Sequence, residues 1–260
     1  MNPELGDQKL VKSAQRTLLL MEMLGAARGP MTVTELHRRT GFPRSSLHQL
    51  LHTLMAMRWI EPIADGSSVG VGPNALLCGT AYLDRDLALP YAGRTLELLR
   101  DKVGYTTHYA RLERANVMYL ATRETMEPRR ATSRVGRQLP AHATALGKAL
   151  LAELTPHEVA ELLPPGPLVA ITENTIVDRA LLDADLEETR VRGYAVEREQ
   201  NTPGIGCVSV VVPYRLPATD AISCSIPIEA ATEAALERVA EVVREHAESL
   251  AARLRKEGIR

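Results

Sequence analysis

Residues 32–57 read TVTELHRRTGFPRSSLHQLLHTLMAM and contain two short helical patterns separated by a break. Thr32 precedes Glu35 at the spacing of a capping box, which predicts a helix of about two turns that begins there. Gly41-Phe42-Pro43 ends that helix, and a second helix is predicted from Pro43 to about Met57. Two short helices joined by a tight turn that contains glycine are typical of a helix-turn-helix.

The second helix has one apolar face and one hydrogen-bonding face. Leucines recur at i, i+3, i+4 and i+7 from Leu47 and form a single stripe. The opposite face has no carboxylate, and its Arg, Gln and Ser side chains are of the kind that contact guanine, adenine and phosphate. An ordinary surface helix is the alternative. The candidate DNA-binding residues are Thr32, Arg44, Ser45, Ser46, His48, Gln49 and His52.

Charge is distributed unevenly along the chain. Residues 9–58 contain eight Lys and Arg and two Glu, a formal net charge of +6, whereas the whole chain sums to −1. Nucleic acid is the usual partner of such a basic segment, because each neutralised phosphate releases counterions. A solvated basic face is the alternative interpretation. The asymmetry favours double-stranded DNA as the partner of a basic N-terminal module joined to an acidic larger one.

Flanking patterns extend the motif to a winged helix. Residues 13–27 have helical periodicity, with Ser13 as the expected N-cap. Two apolar runs, 59–63 and 69–73, surround a glycine turn and predict a β-hairpin directly after the second helix. An Ala- and Leu-rich helix is expected over 74–86. We therefore expect a winged helix-turn-helix domain at residues 10–73, a linker helix at 74–88 and an effector-binding domain at 89–260.

The remaining chain predicts an α+β domain with an antiparallel sheet, because strands, helices, strands and a last helix follow one another. Helices are expected over 89–103, 142–153, 156–163, 178–192 and 231–256, and strands over 105–112, 117–122, 129–135, 194–197, 207–214 and 221–226.

Several classes of protein are excluded by absent signals. No run approaches about 18 apolar residues, so no membrane span is expected, and the polar N-terminus lacks a secretory segment, which predicts a cytoplasmic location. Three cysteines, Cys78, Cys207 and Cys224, are too few for a disulfide framework or a zinc ribbon. Gly147-Lys148-Ala149 lacks the other positions of a phosphate loop, and neither HExxH nor G-x-S-x-G occurs. No enzyme activity, metal or cofactor is expected.

Four stretches, taken in order, make the chain resemble the IclR family of bacterial transcriptional regulators. They are TELHRRTGFPRSSLHQLL at 34–51, LPAHATALGKALL at 139–151, RGYA at 192–195 with Glu197, Glu199, Gly204, Ile205 and Cys207, and AISCSIP at 221–227. The resemblance covers nearly the whole chain. It implies a winged helix-turn-helix, a linker helix and a GAF-like effector domain, assembled as a homodimer or a dimer of dimers on a palindromic operator.

The resemblance also implies an effector pocket for a small organic acid or aromatic metabolite. Its residues here are Leu139, Ala145, Leu146, Glu197, Ile205, Cys207, Ser223 and Ser225. The chemistry of these residues agrees with such a pocket. Backbone amides at a helix N-terminus can hold an anion, and the hydroxyls of Ser223 and Ser225, on alternate residues of one strand, face the same side. Leu146 is bulkier than the family's usual residue, and Gln200 replaces a frequent Glu. The expected function is ligand-responsive, sequence-specific regulation of transcription, as a repressor of a catabolic or secondary-metabolic operon.

Two alternatives remain at this stage. The winged helix could bind another protein instead of DNA, or Cys207 and Cys224, with His142, could bind metal or sense oxidants. A hydrogen-bonded structural role is the more ordinary one for a buried His142. Glu197 could be a surface charge of its strand instead of a pocket carboxylate.

Overall fold

The structure, a computed structural model, describes residues 10–27, 29–63, 66–125 and 135–260. The chain divides into two compact units, residues 1–85 and 86–260. No helix of the described ranges is long and apolar enough to cross a membrane.

The first unit confirms the helix-turn-helix and the hairpin that follows it. Its sheet has the order β1-β3-β2, with antiparallel pairs. The two-residue strand β1 was not expected from the sequence, and it pairs with β3 through Met31 and Val69. The elements are α1 (Lys12–Ala26), β1 (Met31–Thr32), α2 (Val33–Thr40), α3 (Arg44–Ala56), β2 (Ile60–Ile63), β3 (Ser68–Val71) and α4 (Pro73–Asp84).

Local hydrogen bonds explain where α2 begins and ends. Thr32 Oγ1 accepts from the Glu35 amide at 3.2 Å, and Gly41, at φ 66°, is in the left-handed conformation that ends the helix. The predicted N-cap of α1 is wrong: Val11 occupies that position, and Ser13 lies inside the helix, where its carbonyl accepts from the Thr17 hydroxyl.

The core of this unit comes from the predicted apolar faces. Leu47, Leu51 and Leu54 of α3 are buried, and Leu50 is partly buried at the edge of the same cluster. They pack with Leu20 of α1 and further buried residues, Leu24, Met31, Leu36, Ile60 and Val69. The hydrophobic effect therefore fixes α3 by its leucine stripe and leaves the opposite face outward.

The second unit is an α+β domain built on one antiparallel sheet, as predicted. The sheet has six strands in the order β6-β5-β4-β9-β8-β7. Its elements are α5 (Leu89–Val103), β4 (Thr106–Glu113), β5 (Asn116–Arg123), β6 (Gln138–Pro140), α6 (Ala145–Ala152), α7 (Pro156–Leu162), α8 (Arg179–Arg192), β7 (Ala195–Arg198), β8 (Ile205–Val211), β9 (Asp220–Pro227) and α9 (Glu233–Lys256).

Helices cover both faces of this sheet. On one face α5 and α9 pack against each other, and the Thr107 hydroxyl of β4 donates to the Leu96 carbonyl of α5 at 3.0 Å. On the other face α6 packs against the strands and against α8. Gly147 of α6 permits a close approach there, because a Cβ at this position would lie 2.1 Å from the Ala141 carbonyl oxygen.

Some predicted boundaries are wrong. Most of the strand expected over 129–135 lies outside the described residues, and β6 forms instead at Gln138–Pro140. Residues 141–143 form a 3₁₀ turn, because Thr144 caps α6 and starts that helix at Ala145. Strand β8 begins at Ile205 and ends at Val211, since the chain then turns so that the Tyr214 amide donates to the Val212 carbonyl.

Candidate effector cavity and DNA-binding surface

A narrow cavity lies where the sheet meets the N-terminal end of α6. All eight residues predicted for the effector pocket line it. Five further residues, which the sequence did not single out, also line it: His108, Tyr119, Thr144, Asn201 and Thr202. Residues far apart in the sequence thus converge, since the side chains come from all six strands and from α6.

The end of α6 supplies the cavity's anion-compatible wall. Thr144 Oγ1 accepts from the Gly147 amide at 3.0 Å and caps the helix. Ala145 and Leu146, the first two helical residues, are buried and line the cavity. The first amides of a helix have no partner within it and carry the positive end of its dipole, so this wall can hold a carboxylate without a cationic side chain.

Strand β9 places hydroxyls on the same wall as a buried histidine. Ser223 pairs with His108 of β4 in the sheet register. Ser225 Oγ lies 3.1 Å from His108 Nε2 and 3.4 Å from Cys207 Sγ. Burial lowers the pKa of His108 to about 4, so the ring is neutral at pH 7. Alternate residues of one strand share a face, which is why both serines reach the cavity.

The Ser225–His108 pair has the spacing of a nucleophile and a base. The other ring nitrogen, His108 Nδ1, lies 3.1 Å from the hydroxyl of Thr122, where a hydrolase places a carboxylate that stabilises the imidazolium. A histidine whose pKa is about 4 is also a weak general base.

Glu197 is a cavity residue and not a surface charge. It is 2 % exposed, and its Oε2 accepts from the Gln200 amide at 2.8 Å. Burial raises the pKa of this carboxyl above its usual value, against the opposing effects of hydrogen bonds and of Lys148. Lys148 itself is fully buried, and its Nζ lies 2.8 Å from Asp185 Oδ2 of α8.

The arrangement of the cysteines contradicts a shared metal or disulfide site. Cys207 faces the cavity with Ser225, whereas Cys224 lies between Ser223 and Ser225 on β9 and therefore faces the other side of the sheet. His142 Nε2 lies 3.0 Å from the Val169 carbonyl oxygen, the hydrogen-bonded role expected for it. Within the described ranges, no group of three or more His, Cys, Asp or Glu could hold a metal ion.

Helix α3 presents the predicted DNA-binding face. Five of the seven candidate side chains are exposed along it, namely Arg44, Ser45, His48, Gln49 and His52. The hydroxyl oxygens of the other two accept hydrogen bonds within the unit, Thr32 from the Glu35 amide and Ser46 from Arg16 Nη1 at 3.2 Å. Arg38 and Arg39 of α2 add exposed positive charge that the charge count included but the site prediction did not.

Comparison with known families decides the identity of this architecture. A profile described as "Bacterial transcriptional regulator IclR C-terminal" matches residues 80–252, and one described as "IclR helix-turn-helix domain" matches residues 13–63. The chain belongs to the IclR family of bacterial transcriptional regulators. As an IclR-family protein it is a ligand-responsive, DNA-binding regulator of transcription, which confirms the function expected from its sequence.

Relatives of this IclR-family regulator cover most of its length. It is 30 % identical over 227 residues to "Transcriptional repressor IclR" of Escherichia coli, which covers 86 % of this chain and 82 % of the relative. It is 31 % identical over 241 residues to "HTH-type transcriptional regulator BhcR" of Paracoccus denitrificans, with 92 % and 86 % covered.

Solved structures share the fold of this IclR-family chain. An IclR regulator from Alicyclobacillus acidocaldarius has a TM-score of 0.79 at 24 % identity, with 94 % of this chain and 99 % of that chain covered. An IclR homologue from Microbacterium hydrocarbonoxydans, solved in complex with 4-hydroxybenzoate, has a TM-score of 0.77 at 23 % identity, with 94 % and 99 % covered.

Proposed function

We propose that this chain is a homodimeric repressor whose affinity for a palindromic operator changes when a small organic acid or aromatic metabolite occupies the cavity. Residues 10–73 would form the DNA-binding domain, 74–88 the linker helix and 89–260 the effector domain. The convergence of the eight predicted residues on one cavity is the observation that carries this proposal.

The chemistry of the cavity supports a small ligand with one anionic group. Its lining combines apolar side chains with a few polar groups, as small-molecule sites do. Leu139, Leu146 and Ile205 supply apolar walls, and the first turn of α6 supplies amides. Glu197 stands near this site, so a bound carboxylate favours the protonated form of its side chain. The homologue solved with 4-hydroxybenzoate binds a compound of this class.

A homodimer is supported by the apolar surface of α4. Leu76 and Leu77 are 69 % and 68 % exposed, and none of the residues of α4 is buried in the single chain. Burying two such surfaces against each other removes apolar area from water. Two helix-turn-helix motifs related by a two-fold axis would then read two half-sites, and a ligand that changes their separation would change operator affinity. The repressor assignment follows the E. coli relative's name.

Paired variants test the two sites separately. Thermal-shift measurements against small carboxylates, aromatic acids and sugar acids first identify a stabilising compound, because a ligand that binds only the folded state raises Tm. Ser223→Ala with Ser225→Ala should abolish that shift and retain DNA binding. Arg44→Ala should weaken DNA binding and retain the shift, while Arg238→Ala, an exposed arginine of α9, serves as the charge-matched control.

Each outcome of this experiment bears on a different part of the proposal. If the serine variant keeps the thermal shift, the compound binds elsewhere and the cavity assignment fails. If Arg44→Ala binds DNA as well as Arg238→Ala does, α3 is not the reading helix, and the winged helix as a protein-binding module becomes the better interpretation. Sedimentation of the full chain measures the dimer directly, and a monomer at micromolar concentration would contradict the homodimer.

A further inference from the structure

An arginine outside the helix-turn-helix contacts two parts of that motif at once. Arg16 lies on α1 and is half-buried. Its Nη1 donates to Ser46 Oγ at 3.2 Å, and its Cζ stands 5.0 Å from the centre of the Phe42 ring. A guanidinium over an aromatic face is attractive because of the ring's quadrupole. One planar side chain therefore links α1 to the motif by a hydrogen bond and by a cation–π contact.

The two partners of Arg16 lie on either side of the start of α3. Phe42 belongs to the turn between α2 and α3, and Ser46 is the third residue of α3. Phe42 is itself held by its backbone, since its carbonyl oxygen lies 2.7 Å from His37 Nδ1 and its amide donates to Thr40 Oγ1 at 3.2 Å. The contacts of Arg16 thus fix the first turn of α3 against both the preceding turn and α1.

The helix dipole gives Arg16 no stabilising role at this end of α3. The N-terminal end of α3 carries the positive end of the helix dipole, has no acidic residue in its first turn, and has no side-chain cap. A cation is disfavoured at such a position. The arginine is therefore explained either by the geometry it imposes on α3 or by direct attraction of a DNA phosphate, and these two roles differ in what they do to the salt dependence of binding.

We propose that Arg16 is a positioning residue for DNA binding, which acts through Ser46 and Phe42 to set the first turn of α3 and with it the adjacent side chains of Arg44 and Ser45. This inference rests on α3 being the DNA-reading helix. It assigns the hydroxyl of Ser46 to a contact within the protein. It also makes Arg16, on α1, a determinant of specific binding although the side chains that would contact the bases are on α3.

The proposal predicts that a lysine cannot replace this arginine. Lys has the same charge but no planar fork, so it cannot donate to Ser46 and stack on Phe42 in the same geometry. Arg16→Lys tests the geometry at constant charge, and Arg16→Met removes the charge while keeping an unbranched chain of similar bulk. Ser46→Ala removes the hydrogen-bond partner from the other side.

The experiment measures binding to a duplex selected from random-sequence DNA by the wild-type full-length protein, over a series of KCl concentrations. We expect Arg16→Lys, Arg16→Met and Ser46→Ala each to weaken binding to the selected duplex about tenfold, the size of a lost charged hydrogen bond. Binding to a non-specific duplex should stay unchanged. The double variant Arg16→Lys with Ser46→Ala should bind no worse than the weaker single variant, because both changes break one contact.

The salt dependence separates positioning from phosphate binding. The slope of log K against log [KCl] should be unchanged in Arg16→Met, whereas Arg44→Ala, if Arg44 contacts phosphate, lowers its magnitude by about 1. A lower slope in Arg16→Met, additive effects of Arg16→Lys and Ser46→Ala, or full affinity in Arg16→Lys would each overturn the proposal. If Arg44→Ala also leaves the affinity for the selected duplex unchanged, α3 is not the DNA-reading helix, and the proposed function fails together with the role of Arg16.

Folding is checked with the same proteins. The sole tryptophan, Trp59, packs against the core of the first unit, so its fluorescence reports whether each variant retains that core. If Arg16→Met does not fold, Arg16→Lys and Ser46→Ala still test the geometry. If these two variants melt as the wild type does and bind the selected duplex with full affinity, Arg16 has no positioning role.

Discussion

Replacing Asp220 by asparagine removes the charge from a buried carboxylate of the second unit that accepts several hydrogen bonds. Asp220 is fully buried at the start of β9. Its two oxygens accept from the Tyr109 hydroxyl at 2.7 Å, from Arg111 Nε at 2.6 Å and from Arg111 Nη2 at 2.9 Å, and the Tyr214 hydroxyl also donates to it. Arg111 Nη1 donates in addition to Asp86 Oδ2 at 2.6 Å.

The stability lost in Asp220→Asn depends on the buried partners of Asp220 that remain. Arg111 is only 19 % exposed and would keep a single carboxylate partner, Asp86. The new amide would also turn an NH₂ group toward hydroxyl and guanidinium donors. Removing one partner of a buried ion pair costs about 3–5 kcal/mol, and here the Tyr109 and Tyr214 hydroxyls lose their carboxylate acceptor as well. Asp101→Asn is the control: that side chain is 64 % exposed beside Arg100, and such surface pairs contribute at most about 1 kcal/mol.

The assay has to separate the two units. Trp59 lies in the first unit, so tryptophan fluorescence follows that unit, while calorimetry and far-ultraviolet circular dichroism follow both. At about 2–4 °C per kcal/mol for a unit of this size, we expect Asp220→Asn to lower the Tm of the second unit by roughly 6–20 °C. The Trp59 transition should be unchanged, and Asp101→Asn should leave both transitions within a few degrees.

The dependence on pH gives a second, independent check. Burial acts to raise the pKa of Asp220, but the hydrogen bonds and charge of Arg111, with the two tyrosine hydroxyls, outweigh it and hold the pKa below its usual value. A depressed folded pKa contributes stability that is fully present above the unfolded pKa of about 3.9 and is lost as pH falls through the folded pKa. The stability difference between wild type and Asp220→Asn should therefore be largest near pH 7 and shrink below about pH 4.

Two results would refute this reasoning. One is a loss of stability in Asp220→Asn no greater than that in Asp101→Asn, which would mean that water or rearrangement compensates Arg111. The other is a difference between wild type and Asp220→Asn that stays constant from pH 7 to pH 3, which would mean that the carboxylate is not the charged species that the structure requires.

Three further predictions concern single positions. Gly147→Ala should destabilise the second unit by at least about 2 kcal/mol in urea denaturation, since the new Cβ meets backbone, whereas Gly79→Ala, which meets nothing within 4 Å, should be neutral or stabilising. Thr144→Ala should cost about 1 kcal/mol through the lost cap of α6. At pH 8 an alkylating reagent should modify the exposed Cys78. It should not modify Cys207 without denaturant, because burial raises the pKa of the Cys207 thiol. Mass spectrometry of the labelled peptides measures which cysteine has reacted.

The helix-turn-helix could be predicted because its signals are local. A cap at Thr32, a left-handed Gly41 and a leucine stripe from Leu47 determine helix ends and faces over a few residues. Where the bounds of a strand depended on pairing with a distant segment, the prediction was wrong or the strand was not predicted. Strand β1 exists only because Met31 meets Val69 across the sheet, and no periodicity in a two-residue segment could indicate it.

The cavity could be predicted only in part. Resemblance to a family identified eight of its residues, and strand alternation explains why Ser223 and Ser225 face together. His108 and Tyr119 were missed because nothing in the sequence of β4 and β5 indicates which of their side chains face a cavity. The position of His108 opposite Ser223 is set by the register of β4 against β9, which depends on residues more than a hundred positions apart.

The electrostatic state of the cavity is less predictable still, because it depends on which segments cover each charge. Glu197 alternates along β7 like any strand residue, yet it is buried since the following residues fold back and the Gln200 amide donates to it. Those residues are held in turn by the hydroxyls of Thr172 and Thr175, which donate to the carbonyls of Glu199 and Gln200 at 2.7 Å and 2.6 Å. The raised pKa of Glu197 is thus a property of two loops and a strand together, and a pattern read along the chain contains none of the distances that produce it.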